Sequence, residues 1–206
     1  MALTAKTLTP KVAALLLDAD NIRWTPEELR SYISEAQRKI IDIKPDANAQ
    51  ERTLDLVAGT AQELPSDMLY LLDVLYNDTT LQEHITQVGL REMDSIDPQW
   101  RSENKDSVVV HYMYDPDTHP DIFYVYPAQP DSGTGSIRVL ASVVPADLTS
   151  DTDVLVLRDR YEPAIIDYMI YKAYLKDNEE PNNQERSAGA YQRFLGAIGV
   201  PDGTRT

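Results

Sequence analysis

The chain has 206 residues, no cysteine, and 34 acidic against 19 basic side chains, for a formal net charge of -15. Hydrophobic residues make up 42% and charged residues 26%, the composition of a globular protein, and the lack of cysteine excludes disulfide scaffolds, zinc fingers and thiol enzymes. An excess of acid this large repels phosphate backbones, which argues against gripping nucleic acid by charge neutralisation.

The charge is unevenly placed. Residues 1–50 hold 7 basic and 7 acidic side chains, residues 51–150 hold 5 and 17, and residues 151–206 hold 7 and 10. The longest apolar run, residues 12–17, ends at Asp18 and falls far short of the ~20 residues that span a bilayer. It is also too short, and lacks the cleavage site, for a signal peptide, so a soluble, unprocessed chain is expected.

Taken in order, the first segment reads as two helices. Leu8, Val12, Leu15, Leu16 and Ala19 form an apolar stripe at helical spacing. Thr25-Pro26-Glu27-Glu28 is a helix start, with Thr25 as cap and Pro26 at the first helical position. Leu29, Tyr32, Ile33, Ala36, Ile40 and Ile43 mark its inner face, and Lys44-Pro45 stops it.

The middle segment reads as antiparallel strands. Leu54 and Leu56 alternate with polar neighbours before Gly59 turns the chain, and residues 70–76, 108–114, 122–126 and 137–144 are rich in β-branched and aromatic side chains. The linkers at 115–121 and 127–135 predict two successive hairpins, and a short helix is expected around residues 90–95. Helix then returns. Pro163 belongs in the first turn of a third helix whose Ile165, Ile166, Met169, Ile170 and Ala173 leave few polar gaps. A fourth helix carries Ala188, Tyr191, Phe194, Leu195 and Ile198, and Gly199-Val200-Pro201 ends it. The expected fold class is α+β: a four-helix bundle built from both chain ends, residues 1–50 and 151–206, with an antiparallel β-sheet or sandwich of residues 51–150 inserted.

Little in the chain looks like a catalytic constellation. Asp18-x-Asp20 fails the calcium-loop pattern at Ile22, Arg23 and Leu29. Asp115, Asp117, His119 and Asp121 alternate in a way that a metal can use, but two prolines and Thr118 make the stretch read first as a hairpin loop. His84, His111 and His119 are the three histidines, and no G-x-S-x-G elbow accompanies them. Gly133-Thr134-Gly135-Ser136 lacks the end of a phosphate loop and reads as a turn. No catalytic residue, metal ligand or cofactor site is assigned. The tyrosines are more telling: Tyr112, Tyr114, Tyr124 and Tyr126 fall on neighbouring strands, and Tyr161, Tyr168, Tyr171 and Tyr174 on the third helix. Tyrosine suits both core edges and interfaces.

Several stretches, in order, carry a family resemblance. They are Arg23-Trp24-Thr25 with Glu28-Leu29, Lys44-Pro45-Asp46-Ala47, and Leu54-Asp55-Leu56-Val57-Ala58-Gly59-Thr60. Leu71-Leu72-Asp73-Val74, Asp97-Pro98-Gln99-Trp100 and Phe123-Tyr124-Val125-Tyr126-Pro127 follow, then Tyr161-Glu162-Pro163-Ala164-Ile165-Ile166-Asp167-Tyr168 with Tyr171-Lys172-Ala173-Tyr174. Across residues 15–194 the chain resembles the head-to-tail adaptor (tail tubular protein A-like) family of short-tailed bacteriophages. Segment 77–89 departs from the pattern in being polar and poor in glycine.

The resemblance implies a structural virion protein of the neck and tail, assembled in the host cytoplasm. It implies a homo-oligomeric ring, usually of twelve copies, between portal protein and tail nozzle protein, extending the channel through which DNA passes without sequence-specific binding. Arg23, Trp24, Tyr161, Tyr168, Tyr171, Tyr174, Pro201 and Arg205 are then the candidate subunit or portal interface, and Asp73, Asp78 and Glu83 the candidate channel-facing acids. A tail-associated peptidoglycan hydrolase, or a neck or tail completion protein docking elsewhere, is the alternative.

Overall fold

A computed structural model of the chain describes residues 3–79, 81–102, 104–177, 179–180 and 182–200. The chain divides into two compact units, Met1–Ala47 with Pro145–Thr206, and Asn48–Val144.

The first unit holds helices α1 (Ala5–Leu15), α2 (Pro26–Ile43), α4 (Glu162–Lys176) and α5 (Asn183–Ala197). Helix α2 begins where its sequence dictates. Thr25 Oγ1 accepts the Glu28 N–H at 3.3 Å, Pro26 occupies the first turn, and Glu27 and Glu28 face the positive helix end. Leu29, Ile33, Ala36, Ile40 and Ile41 are buried; Ile41 takes the inner position expected of Ile43. Helix α1 is shorter than its stripe predicts. Leu15, the last residue of the helix, is 57% exposed, and Ala19 lies outside because the chain leaves the helix through Leu17 at φ 57°. The Leu17 and Asp18 N–H groups donate back to the Ala14 and Ala13 carbonyls, a Schellman ending with leucine in the place glycine usually takes.

Pro163 sits in the first turn of α4, whose Ala164, Ile165, Tyr168, Met169, Ile170 and Ala173 are all buried. Helix α5 and its cap bury Phe194 and Ile198 and half-bury Tyr191 and Leu195, as expected; Ala188 is exposed instead, and Asn183, Ser187 and Ala190 complete the inner face. Two side-chain bonds favour this face: Ser187 Oγ donates to the Tyr171 carbonyl, and Asn183 Nδ2 donates to the Asp177 carbonyl. Gly199, at φ 79°, closes α5 with Gly199 N–H on the Gly196 carbonyl and Val200 N–H on that of Leu195.

The two chain segments of this unit are stitched together by polar bonds. Lys6 N–H donates to the Asp151 carbonyl and Leu155 N–H to that of Leu3. Leu148 N–H donates to Ser34 Oγ and Val156 N–H to Gln37 Oε1. Ion pairs join Lys11 to Glu162, Arg23 to Asp177, Arg30 to Asp151, Arg38 to Asp147, Glu35 to Lys172 and Glu28 to Lys176. Among the described residues no helix is long and apolar enough to cross a membrane.

The second unit holds two sheets. One has the order β1-β7-β3, with β1 Ala49–Asp55, β7 Ser136–Val143 and β3 Met68–Asn77; the other has the order β2-β6-β5-β4, with β2 Gly59–Glu63, β6 Ile122–Gln129, β5 His111–Tyr114 and β4 Thr86–Gln87. All these pairings are antiparallel except β4 with β5, which is parallel. One apolar core draws on both sheets, with Leu54, Leu71, Val74, Ile137 and Val139 from the first and Tyr112, Phe123 and Val125 from the second. A smaller core lies where α3 (Leu90–Ile96) and the loop after it meet the sheet, with Trp100 fully buried among Met93, Met113, Tyr124 and Tyr126.

The first expected hairpin, β5–β6, forms, with His111 opposite Tyr126 and Tyr114 opposite Phe123. The second does not. Strands β6 and β7 belong to different sheets, so residues 130–135 are a crossover and the Gly133–Gly135 stretch is not a hairpin turn. A buried amide organises this crossing. Gln129, fully buried, accepts the Gly135 N–H at 2.8 Å and donates to the Asp106 carbonyl at 2.9 Å. A Cβ at Gly135 would overlap the Ser107 carbonyl oxygen, so glycine is required there by close backbone approach.

Candidate functional site

The residues expected at an interface occupy different environments. Trp24 is 4% exposed, and its Nε1–H donates to the Ala173 carbonyl at 3.3 Å. Arg23 beside it is exposed and pairs with Asp177. Tyr161 is buried under the Arg160 guanidinium, which also donates to its hydroxyl. Tyr168 lies in an aromatic cluster of α4 and α5, 5.5 Å from Tyr171 and 5.2 Å from Phe194, with Tyr191 4.8 Å from Tyr171. Burial, reinforced by the Glu35 charge, pushes the Tyr168 hydroxyl up to about 12. Tyr174 is half-buried under Arg186. Pro201 and Arg205 lie outside the described residues. The tyrosines of α4 thus use most of their apolar faces within the unit, and Arg23, Tyr171 and Tyr174 keep surface open to solvent.

The three acids singled out earlier belong to the β unit and are each held locally. Asp73 Oδ1 accepts the Tyr112 hydroxyl at 3.0 Å and its neighbour's N–H at 2.8 Å. Asp78 accepts the Thr53 hydroxyl and lies 3.9 Å from Arg138. Glu83 accepts the Thr79 hydroxyl at 2.7 Å, which holds its carboxyl below the usual range. They are members of a larger excess, because residues 48–144 carry 16 acidic and 5 basic side chains. Arg101 pairs with Asp94, Lys105 with Asp131 and Arg138 with Asp78, while Arg52 bonds to Gln50. Arg91 is exposed and has no side-chain partner among the described residues.

Arg91 stands at a cavity of about 660 Å³ between the start of α3 and the β5–β6 hairpin. Leu90, Met113, Ile122 and Tyr124 make its wall apolar, and Asp115 and His119 join Arg91 at its edge. The volume is that of an ordinary ligand or side-chain pocket. The Asp115 carboxylate is turned into its own loop, where it accepts the Thr118 hydroxyl at 2.8 Å and the Asp117 N–H at 3.2 Å. His84 and His111 are likewise engaged, with the Leu75 carbonyl and the Thr86 hydroxyl. No group of three or more His, Asp or Glu side chains among the described residues is arranged to hold a metal ion.

A second feature escaped the sequence reading, the loop between α1 and α2. Leu17 at φ 57° and Asn21 at φ 51° hold left-handed backbone, a conformation that costs a leucine about 1–2 kcal/mol. The Asp18 carboxylate fixes the loop by accepting the Trp24, Ile22 and Arg23 N–H groups at 2.9–3.0 Å, bonds that hold its carboxyl below the usual range. The result presents Leu17, 94% exposed, and Ile22, 83% exposed, to solvent, with Asp20 between them. The visible signal is the Leu15-Leu16-Leu17 run, one leucine longer than a stripe requires.

A family model described as SU10 adaptor protein matches residues 3–206, which covers both units. The curated proteins include no match to the chain.

Proposed function

The chain belongs to the SU10 adaptor protein family, a family of phage structural adaptors, and from that premise we propose that it forms a ring in the neck of the virion. As a phage structural adaptor it is a virion component that associates with other virion proteins, and its family is structural rather than catalytic. In the proposed role, twelve copies stack between portal protein and tail nozzle protein and extend the DNA channel, as in the tail tubular protein A-like adaptors of short-tailed phages. The observation that carries this reading is the match across both units rather than one of them.

The charge of the β unit supports the second half of the role. Sixteen acids against five bases give a surface that DNA slides past, because a like-charged wall provides no phosphate contacts to hold it. Asp73, Asp78 and Glu83 are the proposed wall residues, with Arg23, Tyr171 and Tyr174 at the proposed contacts with neighbours. Electron cryomicroscopy of the purified protein mixed with isolated portal rings tests the reading. A coaxial ring of this chain on the portal is the expected result. A chain that stays free and monodisperse beside intact portals overturns it.

A further inference from the structure

A closed ring needs two unlike patches on each copy, one for each neighbour. This deduction rests on the ring reading. We propose that the loop carrying Leu17, Asp20 and Ile22 is one patch, and that it docks into the Leu90–Arg91–Ile122 cavity of the next copy. Leu17 or Ile22 fills the apolar wall and Asp20 meets Arg91.

Three observations select this occupant. The loop is built rather than loose: Asp18 ties down three successive N–H groups, and two residues keep left-handed backbone, while the two side chains so displayed are apolar and over four-fifths exposed. The loop is anchored in its own chain by Leu16 and Trp24, and left-handed backbone kept in order to display two apolar side chains that stay in solvent points to a role for those two outside the chain. The cavity offers the matching chemistry, with an apolar wall of Leu90, Met113, Ile122 and Tyr124. Charge then sets the partner. Among the described residues Arg91 has no side-chain partner, in a unit with three acids for every base, and Asp20 is an exposed acid likewise without one. An anchor of apolar side chain flanked by acid is what such a pocket accepts, and complementary charge fixes the register.

The cysteine-free chain makes the test direct. Two singly substituted proteins, Ile22→Cys and Leu90→Cys, are mixed under conditions in which the unsubstituted chain forms rings with portal, and a short bis-maleimide is added. The expected product is the mixed dimer, in about tenfold excess over either self-linked dimer. Arg91→Glu is expected to weaken ring formation at least about tenfold, and Asp20→Lys in the same chain to restore it. Leu17→Gly separates docking from folding, because glycine relieves the left-handed strain. It is expected to keep or raise the melting temperature while ring formation falls. Rings that form normally yet give only statistical cross-linking overturn the docking and leave the ring reading standing. Arg91→Glu chains that form rings but no longer bind portal assign the cavity to another virion protein and overturn it as well. An unsubstituted chain that never forms rings overturns both.

Discussion

The two units of this chain solve the same problem, the joining of distant segments, with different balances of charged and neutral bonds. In the helical unit residues 3–47 meet residues 145–200 through six ion pairs, most of them on half-exposed side chains. In the β unit acids outnumber bases 16 to 5, and the junctions are made by buried neutral amides: Gln62, Asn77 and Gln129, each 3% exposed or less. Gln62 closes the turn from β1 to β2 through Val57 and Gly59. Asn77 exchanges two bonds with the Val109 backbone and donates to the Glu83 carbonyl. A buried, fully bonded amide is worth far more to lose than a solvated ion pair, because its partners are left without water. The helical unit therefore adds surface ion pairs to its buried Ser34 and Gln37 bonds, and the β unit relies on buried amides at its crossings.

The largest expected effects lie in the separate cores. Trp100→Ala removes a fully buried ring that packs edge-on to Tyr124 at 6.1 Å and donates to Asp94 at 2.8 Å. The expected loss is about 3–5 kcal/mol. Phe194→Ala, also at a fully buried ring, should cost a similar ~3–5 kcal/mol. Hydrogen exchange read by mass spectrometry checks the division: the first variant should lose protection within residues 48–144, the second within the helices. Equal loss in both units from either substitution breaks the comparison.

Next come the crossings. Gln129→Leu removes a fully buried amide from the part-buried Gly135 N–H and Asp106 carbonyl, for an expected loss of about 1–3 kcal/mol. Gly135→Ala drives a methyl into the Ser107 carbonyl and should cost about 1–3 kcal/mol. Urea unfolding of both variants measures this. A loss no greater than that of removing one surface ion pair, such as Lys176 with Glu28, would show that the amides do not organise the unit.

These crossings mark where sequence reading stops. The start of α2 at Thr25-Pro26, the first turn of α4 at Pro163 and the β5–β6 hairpin were legible, because cap, ring geometry and alternation are local signals. The assignment of β6 and β7 to different sheets was not, since it is made by pairing β7 with β1 and β3, far away in sequence, and nothing local to the linker announces that. On α5 the apolar part of the inner face was legible at Phe194 and Ile198, but not its polar part: Asn183 and Ser187 face inward to bond the chain after α4 and α4 itself, which polarity alone does not suggest. At the candidate site, tyrosine spacing on α4 was visible, but whether a tyrosine packs inward or outward depends on what lies opposite, here Tyr191 and Phe194. The Arg91 cavity joins residues from α3 and a hairpin more than 20 residues on, which no local pattern announces.

Acid should affect both units alike and so sharpens the contrast with salt. Hydrogen bonds hold the carboxyls of Asp18 and Asp153 in the helical unit, and of Asp94 and Asp115 in the β unit, below the ordinary value. A carboxylate lowered in the folded state stabilises above the unfolded value of about 3.9, and that contribution is lost as pH falls through the folded value. Stability should therefore be flat with respect to these groups from pH 7 down to about 5 and decline below about 4. Circular dichroism against pH at fixed temperature checks it. A decline centred near pH 6 would show that these carboxylates do not govern the acid limit of stability.

Salt separates the units and is the smallest effect. Each half-exposed ion pair contributes about 0–1 kcal/mol, and at 1 M salt the screening length falls to about 3 Å. The six pairs across the helical unit should weaken together, lowering its stability by about 1–2 kcal/mol between low and high salt. In the β unit the same ions screen the repulsion among acids such as Asp73, Asp78 and Glu83, whose charges face few cations, so its stability should rise by about 1 kcal/mol or less. Hydrogen exchange at the two salt concentrations resolves the units, and the signs should be opposite. A helical unit whose stability does not fall would mean that ion pairs do not hold the chain ends together, and that Trp24 on the Ala173 carbonyl, Gln37 on the Val156 N–H and the apolar faces of α2 and α4 do so without them.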